Sequence, residues 1–107
     1  MFIKKYIIAN WKMNLSLAET LSLAKKFKKR FIGFKDGQVV VCPSALALSE
    51  AAKIFKGGKI ALGAQNVFWE EIGAYTGEVS PAILSEAGCR YVILGHSERR
   101  KYLSENY

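Results

Sequence analysis

Apolar residues are concentrated in four short continuous runs, and the segments between the runs have helical or turn-rich patterns. The runs occupy residues 6–9, 39–42, 60–64 and 91–94. A run that is apolar at every position is typical of a strand buried on both faces, as in a parallel sheet covered by helices. The pattern predicts the order β-α-β-α-β-α-β with right-handed crossovers, followed by a short polar segment.

Helix start and stop signals support the three predicted crossovers. Ser16 is followed three residues later by Glu19, which is the pattern of a capping box at a helix N-terminus. Apolar residues at helical spacing follow it. The second and third helices are expected over residues 45–55 and 81–87, because glycine follows each segment and proline precedes or begins it.

The longest connection is the loop over residues 65–80, which contains Phe68, Trp69 and Tyr75 among glycines. Loops of this length in a small domain are usually functional. Exposed aromatic rings in a loop favour a partner surface. The alternative is that the rings fold back onto their own domain, and the sequence leaves both interpretations open.

Length and composition predict a single domain over residues 1–107. The chain has a mass of 11.9 kDa and 50% hydrophobic residues, which is ordinary for a globular protein. No apolar run approaches the roughly 20 residues that span a bilayer, and the first residues do not resemble a secretory signal. Two cysteines, Cys42 and Cys89, and one histidine make neither a disulfide framework nor a zinc site. We expect a soluble cytoplasmic protein with reduced thiols and no metal.

The net charge of +7 suits an anionic partner, such as a phosphorylated metabolite or a nucleic acid. Five basic residues lie in the run Lys25–Arg30. Successive residues of a helix point about 100° apart, so the run spreads around the helix surface and does not form one stripe. A solvated helix face is therefore favoured, and a nucleic-acid-binding module remains the less favoured alternative.

Candidate chemistry lies directly after the predicted strands, where parallel sheets bind ligands. The polar residues at these positions are Asn10, Lys12, Asn14, Gln65, Asn66, His96, Ser97, Glu98, Arg99 and Arg100. Lys12 could offset charge on a phosphate or on a developing oxyanion, and His96 could donate a proton to a reacting oxygen. Glu98 could hold Lys12 by an ion pair. Each residue taken singly has an ordinary structural explanation, but their convergence favours a site.

Three segments carry a family resemblance. Residues 10–14 (NWKMN), 73–80 (GAYTGEVS) and 95–100 (GHSERR) are similar, in order and spacing, to motifs of the triosephosphate isomerase family. The resemblance extends from end to end of the chain. It implies an α/β fold that is half of a TIM (β/α)8 barrel, with four parallel strands, three crossover helices and a short terminal helical turn.

The resemblance also implies roles for individual residues. Asn10 and Lys12 would contact the substrate, and Lys12 would offset the negative charge of its phosphate and of the enediolate. His96 would be the electrophile that polarises the carbonyl and moves protons between the oxygens. Ser97 and Glu98 would support the site. The family's glycolytic reaction interconverts dihydroxyacetone phosphate and glyceraldehyde 3-phosphate without a cofactor.

A subunit interface is implied as well. Thr76, at the tip of the long loop, would reach into a neighbouring subunit beside Asn10. The same interface would include Tyr75, Glu78 and Arg99.

The length departs from the family pattern. A complete barrel needs about 250 residues, whereas this chain has 107. The family's glutamate base follows the sixth strand, its phosphate-binding loops follow strands seven and eight, and no residue here matches them. We therefore expect negligible isomerase activity from the chain alone. Its open strand edges predict completion by a second copy or by a complementary C-terminal half. A self-assembling half barrel without isomerase activity is the alternative.

Overall fold

The computed structural model describes residues 5–106, so the parts of the predicted domain at residues 1–4 and 107 lie outside the described residues. The elements are β1 (Tyr6–Asn10), α1 (Leu17–Arg30), β2 (Gln38–Cys42), α2 (Leu48–Phe55), β3 (Ile60–Ala64), α3 (Pro81–Glu86), β4 (Cys89–Val92) and α4 (Ser97–Leu103). A 3-10 turn, Ala45–Ala47, leads directly into α2, so the predicted second helix has two parts. The predicted alternation of strands and helices is confirmed, and the polar segment after β4 forms the seven-residue helix α4.

The four strands form one parallel sheet in sequence order, β1-β2-β3-β4. This is the arrangement of half a TIM barrel, as the sequence predicts. Because all strands run in the same direction, their carboxyl ends meet at one edge of the sheet. The residues that follow β1, β3 and β4 are therefore brought together there.

One face of the sheet packs against the helices and forms the core. Val39, Val41 and Leu62 lie on this face, and they cluster with Ala51 and Phe55 of α2. All five side chains are at most 4% exposed. Alternate positions along a strand point to opposite faces, so every second residue of β2 and β3 is committed to this core.

The opposite face of the sheet carries the interior side chains of a barrel. Tyr6 of β1 meets Tyr91 of β4 edge to face, with ring centroids 5.9 Å apart. The side chains of the two outer strands therefore reach each other across this face. At Gly63 a Cβ would lie 2.6 Å from the Cys42 sulfur and 3.0 Å from a methyl carbon of Val40, so no larger residue fits.

The prediction that all four strands are buried on both faces is wrong for the edge strands. β2 and β3 are largely buried, but Ile7 and Ile8 of β1 are 47% and 54% exposed. Val92 of β4 is also exposed. An edge strand has one neighbour in place of two, and in this chain helices cover only part of its outward face.

The fourth strand lies two residues earlier than its apolar run predicts. Leu62 pairs with Cys89 and Gly63 with Tyr91, so Arg90 is an extra residue in β4 at this shift of register. The bulge lets pairing start before the apolar run. Beyond the strand, the Ile93 N–H still donates to the Ala64 carbonyl at 3.0 Å.

The capping box of α1 forms as predicted. The Ser16 hydroxyl accepts from the Glu19 N–H at 3.1 Å, and the Glu19 carboxylate accepts from the Ser16 N–H at 2.9 Å. These hydrogen bonds hold the pKa of Glu19 below its usual value. The basic run Lys25–Arg30 closes the helix, where positive charge complements the helix dipole. Most of its basic side chains are exposed, as a solvated face requires.

The long loop packs its aromatic rings against one another. The Phe68 ring stacks on Trp69 at 4.0 Å between centroids and contacts Tyr75 at 4.5 Å. The Phe68 N–H closes the loop by donating to the Val79 carbonyl at 2.9 Å. Trp69 nevertheless remains 81% exposed, so the loop has both a packed cluster and an outward apolar surface.

Burial disfavours the ionised form of both cysteine thiols. Both cysteines are free. Burial, and secondarily the neighbouring Cys89, raises the pKa of the Cys42 thiol to about 11. Burial also raises the pKa of Cys89.

Among the described residues, none of the helices combines the length and hydropathy needed to cross a membrane.

Candidate active site

The polar residues that follow β1, β3 and β4 line one cavity of about 450 Å³ at the carboxyl edge of the sheet. Its lining consists of Asn10, Lys12, Met13, Gln65, Asn66, His96, Glu98, Arg99, Tyr102 and Leu103. Of the ten polar residues predicted at the strand ends, seven line this cavity, whereas Asn14, Ser97 and Arg100 do not. Of the α4 residues in this lining, Glu98 and Arg99 were predicted from the sequence, whereas Tyr102 and Leu103 were not.

A larger cleft of about 660 Å³ lies at the amino ends of β2, β3 and β4. It is lined by lysines, an arginine and apolar side chains, and it is remote from His96 and Lys12. The smaller cavity is therefore the candidate site, because the converging chemistry lies there.

Lys12 has a left-handed backbone conformation, with φ of 52°. For a residue other than glycine this conformation costs about 1–2 kcal/mol, so neighbouring groups must stabilise it. The Lys12 N–H donates to the Asn10 side-chain oxygen at 2.9 Å. Its carbonyl accepts from the Gln65 side-chain amide at 2.8 Å. The strained residue is thus held on both sides.

The predicted ion pair between Lys12 and Glu98 is present. The hydrogen bond from Lys12 holds the pKa of Glu98 below its usual value, helped by a backbone hydrogen bond at Glu98 itself. The pair is half-exposed, so solvent screens it. Because the pKa of Glu98 is lowered in the folded chain, the ion pair contributes its full stabilisation above the pKa of a glutamate in the unfolded chain. This stabilisation is lost as the pH falls through the pKa of Glu98 in the folded chain.

His96 follows the last residue of β4 by four positions and directly precedes α4, with its side chain only 10% exposed. Its Nε2 contacts the Gln65 carbonyl and lies 3.1 Å from the Ile93 carbonyl. Carbonyl oxygens only accept, so Nε2 carries a hydrogen and donates it. Nδ1 lies 3.9 Å from a carboxylate oxygen of Glu98. The imidazole is thus held by two backbone carbonyls through Nε2, and a carboxylate lies near its other nitrogen.

Sequence reasoning placed Gln65 and Asn66 at this edge without giving either a role. Gln65 contacts both Lys12 and His96, so it is the residue whose importance was missed. A polar residue after a buried strand was the available signal, but its two partners are 53 and 31 residues away in sequence. Ser97 begins α4 with an exposed side chain, and its supporting role stays a prediction.

Two of the four residues predicted for a subunit interface, Glu78 and Arg99, lie beside this site. Tyr75 and Glu78 close the turn at the loop tip through a 3.0 Å hydrogen bond from the Glu78 N–H, and Thr76 between them is exposed. Glu78 and Arg99 line a second cleft of about 330 Å³ next to Lys12. Arg99 donates to Glu105 through Nε at 2.8 Å and through a terminal nitrogen at 2.5 Å. Whether a second subunit uses these residues stays a prediction.

The side chains offer donors and one ammonium, but little for a metal. Within residues 5–106, no three His, Cys, Asp or Glu side chains come together as a possible metal site. What the cavity can do is hold an anionic group near Lys12 and present the Nε2–H of His96 to an acceptor oxygen. The fold and this site together define half of a (β/α)8 barrel with its ligand face at the carboxyl ends of the strands.

Comparison with known proteins identifies the family. A sequence model described as triosephosphate isomerase matches residues 5–107. The triosephosphate isomerase of Dictyoglomus turgidum is 51% identical over 102 residues, which are 95% of this chain and 41% of that enzyme. That of Clostridium novyi is 50% identical over 103 residues, with 96% and 41% covered. A crystal structure of the Bartonella henselae triosephosphate isomerase has a TM-score of 0.80 at 37% identity, covering 97% of this chain and 43% of that one.

This chain belongs to the triosephosphate isomerase family. It spans about two fifths of the length of the relatives that it matches, which is consistent with an N-terminal half of the family's barrel. The family resemblance drawn from the three sequence motifs is therefore confirmed.

Proposed function

We propose that this chain supplies the lysine-and-histidine half of a triosephosphate isomerase active site and acts in the cytoplasm. The observation that carries the proposal is the single cavity in which Asn10, Lys12, His96 and Glu98 meet. In this proposal the substrate is a small phosphorylated ketose or aldose, and the reaction interconverts dihydroxyacetone phosphate and glyceraldehyde 3-phosphate. No cofactor is required.

Each side chain has a defined part in the proposed reaction. The Lys12 ammonium stabilises the phosphate and the negative charge that develops on the enediolate oxygen. The Nε2–H of His96 polarises the substrate carbonyl, whose oxygen takes the place of the Gln65 carbonyl as acceptor. Glu98 keeps the ammonium in position through its ion pair. A base that removes the proton from carbon is supplied by another polypeptide segment.

The proposal is tested by complementation. The 107-residue chain is co-expressed with the remaining part of the Dictyoglomus turgidum enzyme, and isomerisation of dihydroxyacetone phosphate is measured. We expect no activity above background from the chain alone and measurable turnover from the pair, because general base catalysis contributes about 10²–10⁴-fold. A co-purifying pair without activity would refute the proposal.

A second candidate function is self-assembly into a closed barrel without isomerase activity. The exposed apolar side chains on β1, Ile7 and Ile8 among them, favour it. So does the position of β1 and β4 at the two edges of the sheet that residues 5–106 form, because an open sheet edge is a template for pairing with another chain. A second copy of this chain would cover the same surface as a complementary half.

Light scattering over a dilution series measures this assembly. We expect a mass that is a multiple of 11.9 kDa and is retained on dilution, because burial of apolar surface drives association. Ile8→Lys on the sheet is expected to lower the mass, and Tyr75→Lys tests the loop contact. The matched control is Ile83→Lys, since Ile83 is 61% exposed on α3. A monomer at every concentration would contradict self-assembly.

A further inference from the structure

Gln65 touches both residues that the proposed reaction uses. It follows β3 directly, between the ends of the neighbouring strands, and is partly buried. Its side-chain amide donates to the Lys12 carbonyl at 2.8 Å and to the Cys42 carbonyl at 3.0 Å. Its own backbone carbonyl accepts from Nε2 of His96. One residue therefore ties the ends of β1, β2 and β4 together.

The side-chain amide acts on the strained part of the site. Lys12 is in the left-handed region, where its backbone is stable only if local contacts outweigh the strain. Asn10 binds the N–H side of Lys12, and Gln65 binds the carbonyl side. Without the Gln65 amide, the Lys12 carbonyl is free to rotate. The backbone then no longer holds the Lys12 side chain in position for its ion pair with Glu98.

The backbone carbonyl acts on the imidazole. A carbonyl can only accept, so its contact with Nε2 requires a hydrogen on that nitrogen of His96. This is the hydrogen that the proposed reaction presents to the substrate. Gln65 thus contacts both the residue that carries the ammonium, Lys12, and the nitrogen of His96 that carries the donated hydrogen.

We propose that Gln65 is a positioning residue, which fixes the orientation of Lys12 through its side chain and helps to hold the His96 imidazole through its carbonyl. The effect of Gln65 on catalysis rests on the proposed function, whereas its positioning of Lys12 is a property of the 107-residue chain. The effect on catalysis and the positioning of Lys12 can be measured separately.

The test compares the chain's two glutamines. Gln38 also donates its side-chain amide to two backbone carbonyls, those of Val39 at 2.9 Å and Lys59 at 3.2 Å, but at the opposite end of the sheet. Gln65→Met and Gln38→Met therefore remove equivalent hydrogen bonds with the same substitution. Methionine keeps the length of the side chain and donates no hydrogen bond.

The first readout is the carboxylate titration of Glu98 in the 107-residue chain, followed by ¹³C NMR and assigned with Glu98→Gln. Lys12 is the main cause of the lowered Glu98 pKa. We expect Gln65→Met to raise that pKa, toward the value in Lys12→Ala, and Gln38→Met to leave it unchanged. An unchanged titration in Gln65→Met, or an equal shift in both variants, would overturn the proposal. If Gln65→Met does not fold, Gln65→Asn, which is one methylene too short, replaces it.

The second readout is kcat/KM of the complemented enzyme. We expect a loss of about ten- to a hundredfold for Gln65→Met, since a misplaced catalytic group can cost this much, and a change within twofold for Gln38→Met. If the unmodified pair is inactive, the proposed function fails, while the titration still decides whether Gln65 positions Lys12. Full activity of the Gln65→Met pair would overturn the catalytic part of the inference.

Discussion

Lys12→Ala is expected to lower kcat/KM of the complemented enzyme by at least about a hundredfold. Removing one preoriented group that stabilises transition-state charge typically costs 10²–10³ in rate. The effect should be large here because the backbone of Lys12 is held in a left-handed conformation at a fixed place in the cavity. Steady-state kinetics measures the loss, with the unmodified pair and the Lys12→Ala pair compared at equal enzyme concentration.

The matched control is Lys59→Ala. Lys59 is exposed at the opposite end of the sheet, so its loss removes the same charge from the chain without touching the cavity. We expect its kcat/KM to stay within about twofold of the unmodified pair, since screening weakens charges more than a Debye length of about 10 Å apart. Equal losses in the two variants would mean that net charge, and not the position of Lys12, matters.

Leu62→Ala is expected to destabilise the chain by about 2–5 kcal/mol, the usual cost of removing a buried leucine side chain. Leu62 is 3% exposed and packs in the cluster between β2, β3 and α2. A domain is stable by only about 5–15 kcal/mol, so this substitution removes a large part of the total. Urea unfolding followed by circular dichroism, at one fixed protein concentration, measures the change.

Leu46→Ala provides the comparison. Leu46 is 90% exposed in the turn before α2, so the same substitution removes little buried surface. We expect a change within about 0.5 kcal/mol. If Leu46→Ala were as destabilising as Leu62→Ala, then Leu46 would be buried in the assembled protein, and the mass of the Leu46→Ala variant in solution would identify that contact.

The exposed apolar side chains of the two edge strands have a common cause. Its edge strands have one neighbour each, so Ile7, Ile8 and Val92 lack the covering that a closed barrel gives. Central strands do not have this deficit, and their side chains are largely buried. A complementary C-terminal half and a second copy of this chain would both cover this apolar surface. They differ in that only the C-terminal half would bring the base that removes the proton from carbon.

Local sequence determined the elements and the positions of the candidate chemistry. The Ser16 and Glu19 pair specified the start of α1, because a capping box needs only residues three apart. The continuous apolar runs specified a parallel sheet, and a parallel sheet places Lys12 and His96 at the same edge. The family resemblance needed only short motifs in order.

Tertiary structure decided the rest, since it depends on contacts between distant parts of the chain. The bulge in β4 arises from its pairing with β3, so the apolar run alone misplaced the strand by two residues. The left-handed conformation of Lys12 is held by Gln65, which is 53 residues away. The hydrogen on Nε2 of His96 is selected by a backbone carbonyl, and a backbone carbonyl leaves no mark in the sequence. Sequence determined which groups reach the site, whereas long-range hydrogen bonds decided how they are oriented there.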